Sequence, residues 1–291
     1  MTKQKWISAV FCALLALSVL TACRDKTDPN DPRNNYPVSI GEVTIKELPL
    51  KVVSLSPLTT EMMKAIGASG HLTAISDACT NPDGTNLPRM GSAMAPQTDE
   101  ILALAPSLLL TTSQPDTAFA QQLELYHIPV LVFSPAASLE ELRSNYETLG
   151  MAMGGKLQGL QNGQRAFSIL QKGLDGLTQP QNPPKAALVL DGAAVATPDT
   201  LAGQLLEQAG AQNAAVGCTG YRMDMAALAD AAPDILFCPK GMANTIKTNS
   251  LLKETPAVKN NRVFEADTTA LEQQGIELLQ AVEQMNQAIL L

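Results

Sequence analysis

The chain is predicted to be an α/β protein: two α/β lobes with largely parallel sheets, bridged by a single long helix. Three observations lead there. Short apolar runs alternate with helical stripes in two separate series, as parallel strands with crossover helices do. Between the series, Gly154-Gly155 opens a helical pattern spaced by Leu157, Leu160, Phe167, Leu170 and Leu174. The stretch Gln179-Pro180-Gln181-Asn182-Pro183-Pro184 then breaks the chain before the alternation restarts.

Taken in order, Lys3 and Lys5 precede an apolar run from Ile7 to Leu20 that closes on Leu20-Thr21-Ala22-Cys23. A charged start, a short apolar stretch and small residues before a cut make residues 1–22 a signal peptide. The run is shorter than the roughly 20 apolar residues that a membrane-spanning helix needs. Leu-Thr-Ala-Cys resembles the lipobox of bacterial lipoproteins, which makes Cys23 the expected lipidation site. Lipidation would anchor the body to a membrane, since several acyl chains together hold stably where one does not. Residues 23–35 contain two prolines and no apolar residue after Cys23 and Ala-free polar sequence thereafter, so they read as a solvated tether.

The first lobe is expected over residues 36–153. Val52-Val53-Ser54-Leu55 reads as a buried strand, and Ser56-Pro57 as the cap and first turn of a helix through Met62, Met63 and Ile66. Further strands fall at Leu72–Ile75, Ser107–Thr111 and Pro129–Phe133. Helices fall at Thr98–Ala105, with Thr98 as cap, and at Phe119–Tyr126. Ser138-x-x-Glu141 is a capping box that opens another, running to about Met153. The linker helix is expected within residues 154–182, although each of its glycines costs about 1 kcal/mol relative to alanine. The second lobe, residues 183–291, offers strands at Ala187–Leu190, Ile235–Cys238 and Val263–Glu265. Its helices are Thr200–Ala209, Met225–Ala231 and a closing one from Leu271 to Leu291.

Charge and composition narrow the function. The formal net charge is −8, and the leader carries lysines but no acids, so the remaining body is more acidic still. Such a surface argues against nucleic acid and against electrostatic adhesion to anionic lipid. The one tryptophan, Trp6, lies in the leader. Cys79, Cys218 and Cys238 remain beyond the lipobox. Export permits a disulfide, Cys218 with Cys238 being nearest in sequence, but three small buried thiols fit equally well.

Six stretches in order resemble the substrate-binding lipoproteins of ABC importers for cobalamin and ferric siderophores. They are Val52–Glu61, Ile75–Gly91 (with Asp77-Ala78-Cys79 and Pro88-Arg89-Met90-Gly91), Asp99–Pro106, Ile128-Pro129-Val130, Leu205–Gly210 and Ala257–Val263. The resemblance implies two α/β lobes with the ligand in the cleft between them, and a helical joint that permits only small closure. It implies membrane permease subunits as partners, a small-molecule ligand, no resident cofactor and a monomer tethered outside the cytoplasm.

Ligands of open parallel sheets gather beyond the strands' C-terminal ends. The candidate ligand-binding residues are therefore Ser56, Pro57, Cys79, Met94 and Gln114, in the loop Thr112-Ser113-Gln114, from the first lobe. Tyr221, Arg222, Met242 and Asp267 come from the second. Tyr221 is the only aromatic on these loops, and Arg222 could meet a carboxylate, phosphate or amide. The methionines suit a large, partly apolar ligand. In the resembling family an acid on each lobe pairs with permease arginines. Asp99 matches the first, with a first-turn position favourable for a carboxylate in any case. Ala226 stands where the second glutamate should be, leaving Asp224 as the nearest acid. An arginine usual after the final strand is Leu271, and the tryptophans that pack corrins in cobalamin-binding relatives are missing. The block Ser76–Gly91 nevertheless ranks a corrinoid above a ferric siderophore or haem.

A metal-ion-binding transport lipoprotein is the first alternative. It would need several converging histidines and carboxylates, whereas His71 and His127 stand apart in a turn and before a strand. A non-transport surface scaffold or adhesion lipoprotein is the second. Enzymatic motifs such as Gly-x-Ser-x-Gly, His-Glu-x-x-His or a phosphate loop do not occur, so no catalytic role is expected.

Overall fold

The computed structural model describes residues 35–190 and 194–291. The expected signal peptide, Cys23 and the tether up to residue 34 lie outside these described residues.

A hairpin that the sequence reading did not anticipate, β1 (Val38–Ile40) with β2 (Val43–Ile45), precedes the first lobe. The first sheet contains β3 (Val52–Ser54), β4 (Leu72–Ile75), β5 (Leu108–Thr111) and β6 (Val130–Val132), all parallel, in the order β4-β3-β5-β6. Every residue of β3 and β5 is buried, as central strands of a sheet covered on both faces must be. Helices α1 (Pro57–Ala65), α2 (Thr98–Leu104) and α3 (Thr117–Leu125) make the crossovers. Ser56 caps α1 by accepting the Thr59 N–H at 3.1 Å, with Pro57 in the first turn. Thr98 is the first residue of α2 rather than its cap.

The second sheet contains β7 (Lys185–Leu188), β8 (Gln212–Asn213), β9 (Ile235–Pro239) and β10 (Val263–Ala266), again parallel, in the order β10-β9-β7-β8. Numbered within its own lobe, each sheet has the strand order 2-1-3-4. The order reverses between β3 and β5 in one lobe and between β7 and β9 in the other. Strand β7 starts directly after Pro184, two residues ahead of its sequence-based position.

The lobes are joined by α4 (Leu139–Gly154) and α5 (Leu160–Asp175), linked through the π-helical turn Gly155–Gly159. Ser138 accepts the Glu141 N–H at 3.2 Å. The Glu141 carboxylate takes the Ala137 N–H at 2.8 Å, one residue before the amide that a capping box engages. At Gly155, φ is +80°, and the helical element turns back on itself. The two helices then run in backbone contact. A Cβ at Gly163 would lie 2.3 Å from the Tyr146 carbonyl oxygen, and one at Gly159 only 2.2 Å from that of Gly150. Glycines that weaken this helix by propensity are what allow its close packing.

The closing helix expected from Leu271 to Leu291 is two helices, α10 (Thr268–Gln273) and α11 (Leu278–Leu290), which follow the short α9 (Pro256–Lys259). Between them Gln274 adopts a left-handed backbone, φ +53°, and Gly275 rests so tightly on α1 that a Cβ there would fall 2.3 Å from the Glu61 Cβ. This break carries Gln274 into the first lobe. Its side-chain amide donates to the Ala136 carbonyl at 3.0 Å and accepts the Ala136 N–H at 2.8 Å. The Gln274 carbonyl accepts the Tyr146 hydroxyl at 2.8 Å. Gln204, on α6 (Leu201–Gln208), adds a further bond by accepting the Leu139 N–H at 3.0 Å. Helix α11 ends the chain along the bridge, where Asn286 donates to the carbonyls of Thr178 at 2.8 Å and Ala209 at 2.9 Å. One apolar core accordingly runs through both lobes, from Met62 and Leu142 to Leu205 and Val282.

Two consequences are measurable by urea unfolding. Gly163→Ala gains about 1 kcal/mol of helix propensity, yet its methyl meets backbone on α4. A net loss of about 1–3 kcal/mol is expected from overpacking, and a net gain would show that the helices separate freely. Gln274→Ala strands both backbone groups of Ala136, with an expected loss of about 1–3 kcal/mol. An unchanged unfolding midpoint would mean that the lobes hold together without this amide.

Candidate functional site

A cleft of about 540 Å³ opens between the lobes. Its walls are the loops that parallel strands deliver at their C-terminal ends. Ser56 and Pro57 follow β3, Thr112 follows β5, and Pro135, Ala136 and Ala137 follow β6. From the second lobe come Leu190 after β7, Leu201 and Ala202 of α6, Tyr221, and Thr269 and Leu271–Gln274 around α10. The order-reversal point between β3 and β5 faces the cleft through Ser56 and Thr112, where ligand crevices form in open sheets. Apolar side chains dominate, and among the described lining residues Glu272 is the one ionisable carboxylate, with no lysine or arginine.

The structure gathers Ser56, Pro57 and Tyr221 from the sequence-based candidates, with Thr112 from the same predicted loop as Gln114. Ser56 is buried, and its hydroxyl is occupied by the Thr59 N–H and by Thr59 Oγ1 at 2.9 Å. It therefore shapes the wall while starting the helix. Tyr221 stands on a turn in which Arg222 N–H bonds to the Thr219 carbonyl at 3.1 Å, with positive φ at Gly220 (+61°) and Tyr221 (+64°).

The other candidates fall elsewhere. Cys79 is turned into the first lobe, its Sγ lying 3.1 Å from both Thr60 Oγ1 and Ser76 Oγ. That small thiol completes a buried hydroxyl cluster with Ser54 behind the wall. Met94 is 84% exposed and lies beside Ser113, and Gln114 is exposed outside the lining. Arg222 and Met242 are exposed and do not line the cleft, Met242 standing just before α8 (Ala243–Thr248). Asp267 caps α10 by accepting the Ala270 N–H at 3.0 Å and pairs with Lys240. The Lys240 ammonium holds its carboxyl below the usual range. These side chains are committed to structure or to solvent.

Two lining features escaped the sequence reading. Pro135–Ala137 follow an expected strand, so the rule that selected Ser56 would have selected them too, whereas Leu190 was assigned to the strand itself, which ends at Leu188. Gln274 was hidden inside a helix drawn too long, although the following Gly275 is a common helix-end signal.

Of the acids expected to face a permease, Asp99 is exposed in the first turn of α2. Asp224 is exposed and caps α7 (Met225–Asp230), accepting the Ala227 N–H at 2.7 Å. Cys79, Cys218 and Cys238 are all free thiols, and burial pushes the Cys238 thiol up to about 11. His71 closes a short 3₁₀ turn before β4, and His127 is an exposed residue with φ +54° after α3. Tyr146, behind the cleft, is held far above the usual phenol range by burial and by Glu61.

The sequence profile of the periplasmic binding protein family matches residues 52–270. Over 95% of this chain and 94% of its own length, an uncharacterised ABC transporter substrate-binding lipoprotein of Bacillus subtilis, YvrC, is 26% identical. The periplasmic haem-binding protein HutB of Vibrio cholerae superposes with a TM-score of 0.71 at 24% identity, covering 82% of this chain and 98% of that one. The vitamin B12-binding protein BtuF of the same organism gives 0.61 at 19% identity, over 83% and 96%. With two parallel-sheet lobes, a helical bridge and a cleft at the strand ends, the chain belongs to the periplasmic binding protein family and is the substrate-binding protein of an ABC importer.

Proposed function

We propose that this protein captures a large, weakly charged macrocycle outside the cytoplasm, a corrinoid first, and hands it to its permease while anchored through Cys23. The observation that carries this reading is the apolar cleft, whose described lining offers no cation. An anionic ferric siderophore or a free metal ion would need charged partners there. A cleft of about 540 Å³ lies within the roughly 300–1,000 Å³ of small-molecule sites, enough for a macrocycle face to be gripped while its polar periphery stays wet. Leu271, where the resembling proteins carry an arginine, fits the same preference by adding an apolar side chain to the wall. Haem is the second reading, favoured by the Tyr221 hydroxyl at the cleft and by what HutB binds. Capture needs no chemistry from this chain, which acts as a monomer with no resident cofactor.

The test is a thermal-shift and difference-absorbance titration of the full chain with cyanocobalamin, cobinamide, haemin and ferric siderophores. One-site stabilisation by a corrinoid is expected, reaching about 2.7 kcal/mol at a hundredfold excess over Kd. Stabilisation by a ferric siderophore alone would overturn the macrocycle assignment. In the same reading Asp99 and Asp224 meet basic residues of the permease, since complementary charges steer and register such contacts. Asp99→Lys is expected to abolish most uptake in cells and leave affinity for the captured ligand unchanged. Weakened binding would place Asp99 at the ligand instead.

A further inference from the structure

We propose that Asp199 and Thr197 are positioning residues that hold Tyr221 against the cleft; this rests on the reading of Tyr221 as a ligand contact. The starting point is strain. Gly220 and Tyr221 both have positive φ, +61° and +64°, as the two central residues of a type I′ turn do. Glycine is at ease there, but a tyrosine in left-handed backbone is strained, because its Cβ crowds the following carbonyl oxygen. Such a conformation persists only where its surroundings over-determine it, and it concentrates at ligand sites.

The surroundings here are specific. Both carboxylate oxygens of Asp199 accept the Gly220 N–H, at 3.2 and 3.0 Å. The Thr197 hydroxyl donates to Asp199 Oδ1 at 2.6 Å and accepts the Tyr221 N–H at 3.2 Å. The two strained residues thus have their amides held by two side chains that also hold each other. Thr197 is itself immovable. It is fully buried, its carbonyl accepts the Thr200 hydroxyl at 2.7 Å, and it sits where a Cβ on Gly203 would fall 1.9 Å away. Thr200 in turn caps α6 by accepting the Gly203 N–H at 3.1 Å. The position of Tyr221 is therefore referred to the N-terminus of α6, whose Leu201 and Ala202 form the neighbouring cleft wall. The Asp199 carboxyl lies below its usual range, chiefly through the Thr197 hydroxyl, which keeps it an acceptor across the physiological range.

The deciding measurement uses the full chain without ligand. Amide hydrogen exchange at Gly220 and Tyr221 is expected to accelerate about tenfold in Asp199→Ala, as loss of a hydrogen bond to a charged group predicts. Asp199→Asn, which keeps an oxygen acceptor, is expected to restore part of the protection. Unchanged exchange in Asp199→Ala would overturn the proposal. Haemin and cyanocobalamin titrations then separate positioning from general stability. For whichever binds, Asp199→Ala is expected to lower affinity about tenfold alone and to add nothing in a Tyr221→Ala background. Full additivity would overturn positioning through Tyr221. If Tyr221→Ala changes neither affinity, the ligand reading of Tyr221 fails, and the exchange result still decides what holds the turn.

Discussion

The side-chain amide of Gln274, paired with both backbone groups of Ala136, fixes one lobe against the other. A primary amide presents donor and acceptor in one plane, so it can mate with a peptide edge as a neighbouring strand would. The pair is buried, where a lost partner costs most. It is reinforced by the Tyr146 hydroxyl on the Gln274 carbonyl and by Gly275 lying on α1. Ala136 and Gln274 also line the cleft. The contact that sets the lobes' separation is thus part of the surface that a ligand would meet.

The bridge follows the same economy. Gly163 against Tyr146 and Gly159 against Gly150 bring α4 and α5 into backbone contact, and α11 packs along α5 with Asn286 tying Thr178, just past that helix, to Ala209. A joint built this way resists shear, and large hinge motion is not expected of it. Differences between open and bound forms must then come from the loops at the strand ends, of which the Tyr221 turn is held by side chains rather than by a sheet.

The wall chemistry and the surface chemistry point in different directions. Inside, apolar residues from both lobes face one another across the cleft. Outside, the chain is acidic, with a net charge of −8, and Asp99 and Asp224 stand exposed at helix starts where the dipole favours them. A weakly charged ligand enters such a cleft without electrostatic conflict, and the acidic exterior is left free to meet a basic partner.

The strand–helix alternation, the Ser56 and Ser138 caps and the proline-rich break are local signals, and the elements they mark are present in the structure. From those, the sequence by itself determined the fold class and the rule that loops after parallel strands build the site. Ser56, Pro57 and Tyr221 obey that rule, and all three line the cleft. What it could not supply was which loop residues turn inward. Cys79 and Asp267 sit at the right strand ends, but a hydroxyl cluster claims one and Lys240 the other. Thr60 and Lys240 lie 19 and 27 positions from the residues they engage, so no local pattern announces them. The break at Gln274 was also decided by tertiary structure. Gly275 is a local hint of a helix end there, and contact with Ala136 and Glu61, both in the other lobe, makes the left-handed turn the better solution.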